Sequence, residues 1–120
     1  MKLIFVYNAD SGALSAMFDI GHKILSPDTY KCNLCKITYG NFREEKKWKE
    51  YREKSLVDME FLHKDEFEKL YGLKFEYPVV LKQTGSIDVI VTKDILNNLK
   101  NIDALIDTIK KHIKLWQEKI

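Results

Sequence analysis

The chain has 120 residues, of which 45% are hydrophobic and 32% are charged, a length and composition typical of a single domain that buries its own core. The net charge is only +2, with acidic and basic residues interleaved, which argues against DNA, RNA or an anionic membrane as a partner. No apolar run is long enough to cross a bilayer, and the N-terminal run is too short for a signal peptide. We therefore expect one cytoplasmic domain over 1–120.

The first half of the chain predicts a strand, a helix and an insert. Residues 2–7 form a nearly continuous apolar run rich in branched and aromatic residues, as in a buried strand. Asp10 or Ser11 can cap the helix that follows, whose apolar residues recur at helical spacing. We interpret 26–55 as an insert, because it opens without a clean period and then predicts a charged helix after Asn41, with one aromatic edge turned inward.

The second half predicts a strand, a short helix and a β-hairpin. Residues 57–63 alternate between polar and apolar, as a strand does. Asp65 is the expected cap of a helix that ends at Gly72. Two apolar runs, 78–82 and 87–91, flank a turn that contains glycine, which indicates a hairpin.

Two further helices complete the predicted order. Thr92 caps a short helical segment, and Asn101 begins a longer helix with an apolar face. Without the insert, the order is β-α-β-α-β-β-α. Strands that alternate with helices favour a sheet that starts parallel, and the hairpin gives it an antiparallel end.

The segment 77–87, with Pro78 before the first hairpin strand and Gly85 in the turn, resembles the second half of a thioredoxin-like fold. The first strand and helix resemble the start of a glutaredoxin, so the resemblance covers 1–25 and 57–118. It implies a thioredoxin-like α/β sandwich with an inserted cysteine-bearing loop and an extra helix. It also implies that a cis proline at Pro78 shapes a peptide-binding edge.

The cysteines depart from that resemblance. Thioredoxins and glutaredoxins carry their cysteine pair at the start of the helix that follows the first strand, where the helix dipole stabilises a thiolate. Here that place reads Ser11-Gly12-Ala13-Leu14, and Cys32 and Cys35 come later, in the insert. The mechanism of those families therefore cannot be transferred to these cysteines by alignment.

The pair Cys32 and Cys35, two residues apart, can form a disulfide or hold one metal ion. In a redox protein Cys32 would attack, as the more N-terminal cysteine does in thioredoxin-like proteins, and the partners would be protein thiols. In a metal protein His22 and His63 would complete a Cys₂His₂ site for zinc or copper. Two other interpretations stay open: a non-catalytic binding adaptor, and two ordinary buried thiols.

The carboxyl ends of the first two strands predict a ligand-binding edge. If 2–7 and 57–63 pair in parallel, their ends meet there, where open α/β sheets bind ligands. His63 ends the second strand, and Asp65 could orient its ring. The alternative is that Asp65 only caps its helix. The expected substrate-binding residues at this edge are Asn8, Asp10, Ser11, Tyr77 and Pro78.

Overall fold

The computed structural model describes residues 2–8, 33–38 and 46–118. These residues form a mixed α/β structure. Its strands are β1 (Lys2–Tyr7), β2 (Asp58–His63), β3 (Val79–Gln83) and β4 (Ile87–Val91). Its helices are α1 (Asn33–Thr38), α2 (Lys46–Lys54), α3 (Lys64–Tyr71), α4 (Lys93–Asn98) and α5 (Ile102–Glu118).

The four strands form one sheet in the order β2-β1-β3-β4. β1 pairs with β2 in parallel and with β3 antiparallel, and β3 pairs antiparallel with β4. The predicted parallel start and antiparallel hairpin are therefore confirmed. β1 is central in the sheet and is packed on both faces, so four of its residues, Leu3 to Val6, are 1% exposed or less.

Helices cover both faces of the sheet. Alternate residues of a strand point to opposite faces, so Leu3 and Phe5 face one layer and Ile4 faces the other. Leu3 and Phe5 belong to a core that includes buried side chains of α1, α2, α4 and α5. Ile4 belongs to a second core, to which α3 contributes Phe67.

Helix α2 is attached to the sheet by aromatic residues. Trp48 is fully buried, and its ring meets that of Phe5 edge to face, with centroids 5.4 Å apart. Phe61 of β2 stacks on Phe5 at 4.9 Å. Such contacts stabilise a core beyond the area that they bury. The predicted inward aromatic edge of this charged helix is confirmed.

Helix α3 begins two residues earlier than expected. Its N-cap is His63, in an extended conformation, and not Asp65. The backbone N–H of His63 donates to Glu66 Oε1 at 2.9 Å, so the carboxylate of the third helical residue satisfies a donor at the helix start. The predicted end is confirmed, because Gly72 is left-handed (φ 68°) and its N–H donates to the carbonyl of Glu68.

The last two helices begin at the predicted residues. Thr92 Oγ1 accepts a hydrogen bond from the N–H of Ile95 at 3.4 Å, and Asn101 Oδ1 accepts one from the N–H of Ala104 at 2.9 Å. α5 then places fully buried Leu105 in the core. Among the described helices, none combines the length and apolarity needed to cross a membrane.

Helix α1 was not predicted, because the sequence around it has no helical period. Its inward residues include Leu34 and Thr38, both 0% exposed, and Ile37, which packs against the same core as Leu34. The Thr38 hydroxyl donates to the carbonyl of Leu34 at 2.6 Å. So short a helix depends on tertiary contacts. The predicted helix that Asp10 or Ser11 would cap lies outside the described residues.

Candidate functional site

The second cysteine lies on a helix. Cys35 is the third residue of α1, which begins at Asn33, directly after Cys32 in the sequence. Cys32 itself lies outside the described residues. The two residues between the cysteines, Asn33 and Leu34, belong to α1 and are described.

Both of these residues attach α1 to the rest of the protein. The side-chain amide of Asn33 donates to the carbonyls of Leu96, at 2.7 Å, and Leu99, at 2.8 Å. Leu34 is fully buried in the core that also holds Trp48. The helix that carries Cys35 is thus attached through both polar and apolar contacts.

The sheet register brings three of the predicted site residues to one edge. Tyr7, the last residue of β1, pairs with His63, the last residue of β2, and Asn8 follows Tyr7 directly. Val6 pairs with Val79, so the residue before Val79, Pro78, lies at the same edge. Asn8, His63 and Pro78 are therefore neighbours at the carboxyl end of the parallel strands.

His63 is paired with a carboxylate that the sequence analysis did not single out. Its Nδ1 lies 2.5 Å from Glu66 Oε1, and the ring centroids of His63 and Tyr7 are 5.9 Å apart. The hydrogen bonds from the backbone and then the side chain of His63 lower the pKa of Glu66. With a proton on Nδ1 donated to Glu66, Nε2 is left to accept a proton or bind a metal.

A local signal could have identified Glu66. It stands three residues after a strand-ending polar residue, which is the spacing of a carboxylate that bonds back to the N-cap. The role predicted for Asp65, orienting the His63 ring, stays a prediction.

The hydroxyl of Tyr77 is engaged inside the protein. It donates to Glu68 Oε2 at 2.8 Å and accepts from the N–H of Phe75 at 3.3 Å. Burial, and then the hydrogen bond to Glu68, raise the pKa of Tyr77 from 10.0 to about 12. The peptide bond from Tyr77 to Pro78 is cis, and Pro78 is buried. Tyr77 thus holds the connection between α3 and β3 in place.

The remaining candidates lie outside the described residues: Asp10, Ser11, His22 and Cys32. Among the residues that can be described, no group of three or more histidine, cysteine, aspartate or glutamate side chains is placed to hold a metal ion. Of the four predicted Cys₂His₂ ligands, His63 alone has a side chain among those that the structure describes, so the metal site stays a prediction.

No protein-family model, no curated protein and no solved structure matches this chain. Its function must therefore be inferred from its own residues and geometry.

Proposed function

We propose that the protein is a thioredoxin-like thiol–disulfide oxidoreductase that uses Cys32 and Cys35. The Cys32 thiolate attacks a disulfide, forms a mixed disulfide and releases one thiolate. The Cys35 thiolate then attacks the Cys32 sulfur, forms the Cys32–Cys35 disulfide and releases the second thiolate. The protein loses two electrons and its two thiol protons, and the substrate disulfide becomes two thiols.

Several features of the described fold support a thioredoxin-like scaffold. The first two strands are parallel, an antiparallel hairpin follows them, and a long helix packs after the hairpin. Pro78 stands directly before β3, beside the carboxyl end of β1. Each of these matches the pattern on which the resemblance rests.

The observation that carries the redox proposal is the attachment of α1. A dithiol works as a redox pair only if the second thiol stays within reach of the first. Burial of Leu34 and the two hydrogen bonds from Asn33 hold the segment that contains Cys35 against the core. An unattached C-x-x-C in a loop would offer no such support.

The test uses Cys32→Ser and Cys35→Ser with glutathione disulfide as the substrate. We expect Cys35→Ser to accumulate a mixed disulfide with one glutathione, because the resolving thiol is missing. Wild type should instead form an internal disulfide, detected by mass spectrometry as the loss of two hydrogens. If neither variant forms a mixed disulfide, and neither thiol has a pKa below about 8.5, the value for free cysteine, the redox proposal fails.

One observation favours a second function, metal binding. The contact between His63 Nδ1 and Glu66 is the arrangement by which a carboxylate orients a histidine that binds a metal through its other nitrogen. Zinc or copper would then be held by Cys32, Cys35 and His63, with His22 as the fourth ligand. Elemental analysis of protein purified without chelator or affinity metal decides between the two. About one metal per chain, lost in Cys32→Ser, would replace the redox proposal with this one.

A further inference from the structure

The polar residue between the two cysteines makes its hydrogen bonds to a distant helix. Both bonds of Asn33 start from the same nitrogen, Nδ2, and end on the carbonyls of Leu96 and Leu99. An amide nitrogen carries two hydrogens, so one side chain can satisfy both carbonyls at once. Aspartate, which has nearly the same shape, has no hydrogen to donate when ionised.

The C-terminal end of helix α4 needs hydrogen-bond donors. It is six residues long, and the last carbonyls of any helix lack partners within it. The N–H of Leu99 reaches the carbonyl of Leu96 only at 3.3 Å, whereas Asn33 reaches it at 2.7 Å. Asn33 therefore supplies the shortest described hydrogen bond to that carbonyl, and it joins the cysteine segment to α4.

We propose that Asn33 is a positioning residue for the cysteine pair. By binding α4 it keeps the backbone between Cys32 and Cys35 ordered, which raises the effective concentration of one thiol at the other and stabilises the disulfide. This inference rests on the proposed redox function. It adds that the reduction potential depends in part on a hydrogen bond from Asn33 to Leu96, a residue more than 60 positions later in the sequence.

The experiment measures the dithiol–disulfide equilibrium in glutathione buffers for the full chain. We expect Asn33→Ala to reduce the equilibrium constant for disulfide formation about fivefold, because two hydrogen bonds are lost and only part of their energy differs between the two redox states. At about 30 mV per tenfold change, this makes the potential roughly 20 mV less negative. Asn33→Ser, which keeps one donor, should fall between wild type and Asn33→Ala.

Asn98→Ala is the matched control. It removes an amide-to-carbonyl hydrogen bond of 2.8 Å, to Asp94, that lies within the same helix α4. We expect it to leave the potential unchanged. Equal shifts in Asn98→Ala and Asn33→Ala would overturn the proposal, because loosening α4 alone would then explain the effect.

The two proposals fail in different ways. If wild type forms its disulfide and Asn33→Ala does so with the same equilibrium constant, Asn33 does not position the thiols, and the redox function stands. If wild type forms no disulfide at any glutathione ratio, both proposals fail. Circular dichroism of each variant in both redox states shows that folded proteins are compared, and Asn33→Ser gives the answer if Asn33→Ala does not fold.

Discussion

Shortening Leu34 to alanine tests whether the helix that carries Cys35 belongs to the folded core. The side chain is 0% exposed and lies in the same cluster as Trp48 and Leu96. Losing three buried carbon atoms costs about 2.4 kcal/mol at about 0.8 kcal/mol each. Incomplete closure of the cavity adds to this. We expect Leu34→Ala to lower the free energy of unfolding by about 3 kcal/mol.

Urea unfolding followed by circular dichroism measures this change, and Leu56→Ala is the matched control. Leu56 is 101% exposed, so the same chemical change there should alter the free energy of unfolding by less than about 0.5 kcal/mol. If the two variants differ by less than about 1 kcal/mol, α1 is not anchored through Leu34. The attachment on which the redox proposal depends would then be refuted.

Two other predictions concern Tyr77 and Asn101. The pKa of Tyr77 is raised from 10.0 to about 12, so its neutral form contributes stability that is complete below pH 10 and lost as the pH approaches 12. Across that window, the free energy of unfolding of wild type should fall more than that of Tyr77→Phe, by on the order of 1 to 2 kcal/mol once solvent screening of this partly exposed hydroxyl is included; equal slopes in urea titrations would contradict this. Asn101→Ala removes the acceptor for the N–H of Ala104 and should cost about 1 kcal/mol, measured by thermal and urea unfolding; an unchanged stability would show that the cap contributes nothing.

The sheet and the last two helices could be predicted from the sequence because their signals are local. Alternation in 57–63, the glycine turn between the hairpin strands, and the caps at Thr92 and Asn101 each depend on a few neighbouring residues. The edge shared by His63 and Pro78 followed from the rule that parallel strands end together. The register later observed agrees with that rule.

What the sequence did not predict depends on distant contacts or on backbone conformation. Helix α1 is held by buried Leu34 and by an asparagine that donates to the carbonyls of Leu96 and Leu99, so no short stretch of sequence contains the contacts that stabilise it. The start of α3 was placed at Asp65 because aspartate is the commoner cap. His63 takes that position through the backbone bond from its N–H to Glu66. The same three-residue spacing separates Asp65 from Glu68, so spacing alone does not decide between the two helix starts.

The central place of β1 has a consequence for how the chain folds. Its partners in the described sheet are β2 (Asp58–His63) and β3 (Val79–Gln83), so at least 50 residues follow β1 before either partner begins. Closing such long loops costs entropy before any contact repays it, and proteins rich in these contacts fold slowly. Until those partners are made, the apolar stretch of β1 lacks the pairing that it has in the described sheet, and an unpaired apolar strand is prone to aggregate.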